Sequence, residues 1–353
     1  MSLILVLNLG STSSKGAIYQ DETLLKEMSL RHDATELQPF SAINDQLEYR
    51  QAKVEAWVKS VDYAMTDFDL FCVRGGVVKP IASGVYLIDE RMIDDLVHER
   101  YGSHVSNVGM MIGYRWAQTY HKEAIFLNAP VTDELNPLAR YTGVKGYERS
   151  SKFHALNQKQ IAHEYATSIG QSLDELSLIV CHMGGGISVG AHEKGRIIDV
   201  TNALDGEGPM TPERSGALSA QNAINLYESL NRDRKAFSKV IAGKGGLMSH
   251  LNSTDVKALV EQGKSDLKVQ EVLDAMIYQI AKEIGAMSTV LTQPIDAILI
   301  TGGLAYSKEL TSALTQRIAW IAQVKLYPGE DELRALALGA NRYLKGLETL
   351  KNY

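Results

Sequence analysis

The residues of this chain best suited to chemistry lie between positions 182 and 216, in the run HMGGGISVGAHEKGRIIDVTNALDGEGPMTPERSG. His182 opens it directly after the apolar Ile179, Val180 and Cys181; the glycine triplet follows, and Asp199, Asp205, Glu207, Glu213 and Arg214 are spread through the remainder. Glycines allow close approach to an anion, and closely spaced backbone N–H groups in a turn form a nest that binds one. Carboxylates and an arginine in the same irregular segment add partners of both signs. Such a mixture suits the handling of phosphate groups. For His182 alone, the competing reading is a core histidine satisfied by its neighbours.

A second run resembles the first. LILVLNLGSTSSKGA at 3–17 and SLIVCHMGGGISVGA at 177–191 align under one shift of 174 positions, about half of the 353-residue chain. Asn8 then meets His182, Gly10 meets Gly184, Ser14 meets Ser188 and Gly16 meets Gly190. Each copy is an apolar run, a polar residue, a Gly/Ser-rich turn and a second run, which predicts strand, tight turn, strand. Self-similarity at half the chain length predicts a duplicated α/β domain with one phosphate cradle in each half. Lys15 ends the first turn, but no G-x-x-x-x-G-K-[ST] loop is present, so a Walker-type site is disfavoured. Lys15 reads either as a phosphate contact or as a solvated strand residue. A third glycine turn, Gly302-Gly303, follows an apolar run at 297–300; ligands of open α/β sheets sit beyond the carboxyl ends of strands, so a nucleotide is expected there.

The elements that must position these groups are also legible. Strands are expected at 69–73, 84–89, 125–128 and 297–301, as unbroken apolar runs of the kind that buried strands require. Helical patterning covers 158–170, 269–293 and 333–346, with Leu273, Met276, Ile277, Ile280, Ile284 and Met287 on one core-facing stripe. The length favours two domains. Boundaries are expected at 1–145 and 146–333, joined through ordered segments around 141–151, with a C-terminal helix at 334–353 that crosses back onto the first domain.

With 45% hydrophobic and 22% charged residues the chain reads as soluble and globular. Its 36 basic and 42 acidic side chains leave a net charge of -6, which supplies no global attraction for nucleic acid or an anionic membrane. The early apolar run at 3–7 is too short to span a bilayer and no basic segment precedes it, so neither secretion nor insertion is expected. Cys72 and Cys181, each closing an apolar stretch, read as buried free thiols and suggest a cytoplasmic location.

The 182–216 run, with SKFHALNQ at 151–158, VRGGVVKPIASGVY at 73–86, ILITGGLAYS at 298–307 and YPGEDELRALALGA at 327–340, resembles the acetate and butyrate kinase family of the actin, sugar-kinase and Hsp70 superfamily, with the butyrate kinase pattern the nearer. The resemblance spans the chain in order. It implies an α/β fold of two duplicated actin-like (ribonuclease H-like) domains, with ATP and a carboxylate in the inter-domain cleft and closure excluding water. It implies reversible phosphoryl transfer between ATP and a short-chain carboxylate such as butyrate, giving ADP and an acyl phosphate, with Mg2+. No general base is needed, because a carboxylate with a pKa of about 4 to 5 is already an ionised nucleophile. Homo-oligomers are implied as well.

By the same resemblance, Arg214 and His154 are the groups that stabilise the phosphoryl in flight. Arg74 would hold the carboxylate or the phosphoryl; acetate kinases carry a histidine directly before the equivalent of Gly75-Gly76. Asn8 and Ser13 match the first phosphate loop, His182 with Gly184, Gly185 and Gly186 the second, and Gly302 with Gly303 the adenosine-side turn. Asp255 and Lys257 resemble the nucleotide-side D-x-R, with lysine for arginine. Two departures stand out. Asn128 occupies the place of an expected aspartate, so either Asp133 or Glu134 supplies the metal's carboxylate or the chain is a nucleotide-binding paralog with little turnover. Ala305-Tyr306 replaces a turn that carries glutamate in acetate kinases. Val77, Val78, Pro80, Ile81 and Val85 are expected either to line the acyl pocket or to be core. A kinase for a hydroxyl acceptor on the same fold is the remaining enzyme reading.

Overall fold

The computed structural model describes residues 1–202 and 204–353. The chain divides into two compact units, Met1–Thr132 with Asp331–Tyr353, and Asp133–Glu330. The first boundary falls earlier than the expected 145. The segment after Thr132 belongs to the second unit because its side chains are tied there: Arg149 donates to Asp199, Glu207 and the carbonyls of Ala139 and Val200. At the other end the chain returns to the first unit at Asp331, whose carboxylate caps the helix Glu332–Leu344 by accepting from the Arg334 amide at 2.9 Å.

The first unit is built on a seven-stranded sheet: β1 (Leu3–Gly10), β2 (Ser13–Gln20), β3 (Thr23–Arg31), β4 (Leu70–Arg74), β5 (Val85–Leu87), β6 (Glu123–Leu127) and β12 (Leu350–Lys351), in the order β12-β5-β6-β4-β1-β2-β3. The central β1, β4 and β6 are parallel neighbours, buried on both faces, which is why they read as unbroken apolar runs. Leu5, Leu7, Phe71 and Val73 pack in the core with the helix Val105–Tyr120. Cys72, between two of them, reaches the helix Glu332–Leu344, with Sγ 3.5 Å from the Leu336 carbonyl.

The second unit has a five-stranded sheet: β7 (Ser177–Met183), β8 (Ile187–Glu193), β9 (Arg196–Val200), β10 (Ala297–Gly302) and β11 (Val324–Pro328), in the order β11-β10-β7-β8-β9. The helices Ala155–Ser168 and Leu267–Ser288 pack against it, and the expected stripe of Met276, Ile277, Ile280, Ile284 and Met287 is buried.

The duplication is visible in the topology. In each unit a hairpin and a third antiparallel strand lead into two parallel strands, β3-β2-β1-β4-β6 in one and β9-β8-β7-β10-β11 in the other. The turns differ by one residue. Gly10 pairs with Ser13 across a two-residue turn, whereas Met183 pairs with Ile187 across Gly184, Gly185 and Gly186. Consequently Asn8 faces Lys15, while its counterpart His182 faces Ser188.

Candidate active site

Each unit positions its own set of the expected residues. In the first, Asn8 near the end of β1 is buried and donates from Nδ2 to Glu332 Oε2 at 2.6 Å. Arg74 ends the parallel strand β4 and forms an ion pair with the other oxygen of the same carboxylate. Glu332 therefore links two predicted site residues. In the sequence it falls within YPGEDELRALALGA, one residue before the helical pattern expected at 333–346. The glycine pair after Arg74 serves packing: a Cβ on Gly75 would lie 2.7 Å from the Ala129 Cβ, and one on Gly76 2.5 Å from Asn107 Oδ1. His104 caps the helix Val105–Tyr120, its Nδ1 accepting from the Ser106 amide at 3.2 Å. Burial, and then the charge of Arg74, hold its pKa below the ordinary histidine value, so it is neutral. Ser13 sits at the turn, and Lys15 is exposed on β2.

In the second unit, His154 precedes the helix Ala155–Ser168 and stacks on His182 at the end of β7, ring centroids 3.8 Å apart and planes 13° from parallel. His182 Nδ1 lies 2.8 Å from Asn157 Oδ1, one turn along that helix. Its Nε2 is 3.1 Å from Glu330 Oε2, an ion-pair separation without hydrogen-bond alignment.

A buried chain orients His154. His192 Nε2 meets Gln158 Oε1 at 3.0 Å, Gln158 Nε2 donates to Ser188 Oγ at 2.9 Å, and Ser188 Oγ meets His154 Nδ1 at 2.9 Å. Burial pushes the His192 pKa down to about 3, so that ring is neutral and donates from Nε2. Ser188 Oγ, which accepts from Gln158, thereby holds the His154 ring by its Nδ1. Gly190 makes room for this chain, since a Cβ there would lie 2.5 Å from Gln158 Oε1.

Arg214 lies against the glycine triplet. A Cβ at Gly186 would strike its guanidinium, and one at Gly185 would come 3.3 Å from Glu213 Oε1. The Arg214 loop is anchored to the triplet by Thr211 Oγ1, which donates to the Gly185 carbonyl at 2.6 Å and accepts from the Arg214 amide at 3.0 Å. A segment not singled out from sequence braces it from behind: the amides of Gly243 and Gly245 donate to the Glu213 carbonyl, and Leu247 N–H to the Thr211 carbonyl. Gly246 has φ 59°, and any Cβ there would collide with Thr211 O. Burial holds the Arg214 pKa below its ordinary value, with Glu213 opposing the shift.

Several expectations are redirected. About a third of the 182–216 run is β8 and β9 rather than irregular loop. Asp199 and Glu207 pair with Arg149, and Asp205 with Lys152, so these three carboxylates serve as counter-ions inside the fold. Asp133 pairs with Arg140 at 2.7 Å, and buried Glu134 pairs with Lys159 at 3.0 Å while accepting from the Ile197 amide. Both are paired within the second unit. No cluster of three or more His, Cys, Asp or Glu forms among the described residues. Asn128 takes a left-handed φ of 45° and accepts from the Gly84 amide at 3.0 Å, a turn-holding task that its side chain suits.

On the nucleotide side, Gly302 has φ 89° and exchanges backbone hydrogen bonds with Gly329 at 3.0 and 3.1 Å. Any Cβ on Gly302 would run into the Met183 carbonyl, so the β7 and β10 ends approach closely only with glycine there. Gly303, Lys257, Leu304, Tyr306 and Val260 line one cavity of about 520 Å³. Asp255 caps the helix Val256–Gly263 beside it, accepting from the Ala258 amide at 3.0 Å.

Residues 128–322 match the acetokinase family. Over its whole length the chain is 43% identical to a probable butyrate kinase of Enterococcus faecalis, covering 98% of that protein. It is 42% identical to butyrate kinase 1 of Clostridium acetobutylicum, with both chains covered completely. The chain belongs to the acetokinase family. The acetate kinase of Porphyromonas gingivalis shares its fold, with a TM-score of 0.78 at 16% identity and 99% and 100% of the two chains covered. A propionate kinase of Francisella tularensis does so at 0.76 and 14%, over 96% and 99%. The fold is thus the two-domain, actin-like one of acetokinase-family structures. Within it, sequence reasoning missed Glu332, Arg50 behind the first loop, the Gln158–Ser188 chain and the Gly243–Gly246 brace. The signal for Glu332 was present in DELRA, as an acidic residue opening a helix that returns to the first sheet.

Proposed function

We propose that this chain is a butyrate kinase, transferring the terminal phosphoryl group of ATP reversibly to butyrate or a close short-chain relative, with ADP and an acyl phosphate as products. The observation that carries the reading is the Arg214, His154 and glycine-triplet arrangement in a full-length acetokinase-family chain. Phosphoryl transfer is dominated by positioning and charge stabilisation. Arg214, pinned over Gly186, supplies fixed positive charge, and His154, its Nδ1 engaged by Ser188, is the hydrogen-bond donor of this proposal through Nε2. Both act without reorganisation as charge develops on the transferring group. Arg74 holds an anion: in the ligand-free chain its partner is Glu332, and the substrate's carboxylate would exchange for it. The carboxylate attacks as its own ionised form, so no proton is abstracted.

Magnesium fits a limited donor set here. Mg2+ commonly enters on substrate phosphates with one or two protein carboxylates. Glu332 beside Asn8 is the carboxylate suited to that task, and the ion would neutralise phosphate charge. The adenosine portion is assigned to the Gly303–Tyr306 cavity. Of the apolar residues after Gly76, Val78, Ile81 and Val85 are core, which leaves Val77 and the exposed Pro80 to contact the acyl chain. Chain length is not ranked, because one methylene discriminates by only about 1 to 3 kcal/mol. A cytoplasmic, homo-oligomeric enzyme is part of the proposal, in keeping with two buried free thiols. The test is acyl hydroxamate formation with ATP, Mg2+ and hydroxylamine across carboxylates of two to six carbons. Product peaking near butyrate is expected, and no product from any carboxylate sinks the reading.

A further inference from the structure

The helix Leu47–Ser60 presents Arg50, whose side chain is completely buried. Its guanidinium meets the first loop from behind. Nη1 donates to the Gly10 carbonyl at 3.1 Å, the Ser13 carbonyl at 2.9 Å and Ser14 Oγ at 3.2 Å; Nη2 donates to the Ser11 carbonyl at 2.9 Å, and Nε to Gln46 Oε1 at 2.9 Å. The remaining carbonyl of the turn, Thr12, accepts from the His32 amide at 2.9 Å. Ser14 Oγ also meets His32 Nε2 at 2.8 Å, and His32 Nδ1 meets Tyr49 Oη at 3.0 Å, so the clamp is itself braced.

Two physical consequences follow from these contacts. In a trans peptide the C=O and N–H point in opposite directions. With the carbonyls of Gly10 and Ser11 drawn to Arg50, the N–H groups of Ser11 and Thr12 face away from it at the exposed tip of the turn, where no protein acceptor takes them among the described residues. Secondly, every acceptor on Arg50 is neutral, and no carboxylate contacts it among the described residues. Burying a charge without an opposite charge is costly. A fixed cation behind outward-facing amides is an arrangement that anionic oxygens at the tip would complete.

We propose that Arg50 is the positioning residue of the first phosphate loop: by holding the loop's carbonyls it aims the Ser11 and Thr12 amides at nucleotide phosphate oxygens, whose charge offsets its own. This deepens the kinase reading and rests on it for the identity of the ligand. Arginine suits the task because its planar fork reaches several acceptors at once, whereas a lysine ammonium is a compact point charge.

The experiment uses the full-length enzyme. The carboxylate panel is run on the wild type, and binding of a non-hydrolysable ATP analogue is measured by calorimetry. Arg50→Met and Arg50→Lys are then compared by thermal melting, by kcat, and by KM for ATP and butyrate separately. We expect KM for ATP and the analogue's Kd to rise about tenfold or more in both variants, the scale of a lost charge-assisted hydrogen bond. KM for butyrate stays within about twofold, and methylguanidinium partly restores analogue binding to Arg50→Met. A merely structural role would lower Tm while the folded fraction kept its wild-type Kd, and that outcome overturns the proposal. Should Arg50→Met fail to fold, Arg50→Lys decides: wild-type analogue affinity in it overturns the proposal, weakened affinity with butyrate KM unchanged supports it. If the wild type phosphorylates no carboxylate yet analogue binding depends on Arg50, the butyrate reading fails and this proposal stands; activity with Arg50-independent binding fails this proposal alone.

Discussion

Two histidines and an arginine in the second unit show how far a single side chain depends on its partners. His154 is held in one orientation because Ser188 meets its Nδ1 and His182 stacks on its face. Arg214→Ala is expected to lower kcat by on the order of 10² to 10³, with ADP affinity little changed by calorimetry. Ser188→Ala should lower kcat less than that and alter the acidic limb of the pH–rate profile, since His154 is then free to change tautomer or protonate. An unaltered profile would remove Ser188 from any positioning role. Asn128→Asp is expected to leave the rate within about twofold, because Asn128 is engaged in holding Gly84 and an aspartate oxygen accepts the same bond. A large gain in that assay would instead mark Asn128 as a lost acid.

At the scale of elements, the glycines that matter are those where chain segments touch. Gly186→Ala places a methyl group on the Arg214 guanidinium. The expected outcome is a kcat loss approaching that of Arg214→Ala with melting temperature nearly preserved, because a side chain moves more readily than a strand. Gly302→Ala should behave in the opposite way: with φ 89° and the Met183 carbonyl in the way, it should cost more than about 1 kcal/mol of stability, read by denaturant unfolding. Strands were legible in the sequence because buried parallel strands must be continuously apolar, as 70–74 and 297–302 are. Less legible was the loop brace at 243–246, whose glycines are explained only by backbone contacts to Thr211 and Glu213, distant in sequence.

For the whole molecule, the buried ionisable groups link folding to pH. His192 is fully buried with its pKa pushed down to about 3 by desolvation, while unfolded histidine titrates near 6.5. The unfolded chain therefore binds the extra proton between those values, and stability is present in full above about pH 6.5 and declines as pH falls toward 3. Thermal midpoints should drop across that window, and His192→Gln, whose amide nitrogen reaches the Nε2 position and can still donate to Gln158, should flatten the slope. An identical slope in the variant would exclude His192 as the source. Burial of Cys72 and Cys181 raises both thiols' pKa, which makes them poor nucleophiles at neutral pH.

From sequence alone, the duplication at 174 positions, the two glycine-rich hairpins and the principal strands and helices were determined, because each rests on local composition or on a comparison of the chain with itself, while the family followed from the resemblance of whole motifs to known kinases. Tertiary structure decided which charges remain for chemistry. In one dimension Asp199, Asp205 and Glu207 stood out as carboxylates of the glycine-rich run and Asp133 and Glu134 as candidate metal ligands; each has an arginine or lysine partner in three. Glu332 and Arg50 went unmarked in the sequence, and folding brings them to Asn8 and Arg74 and to the first loop. The physical reason is range. Backbone propensity and hydrophobic period act over a few residues, whereas charge pairing is settled by neighbours in space up to hundreds of positions apart.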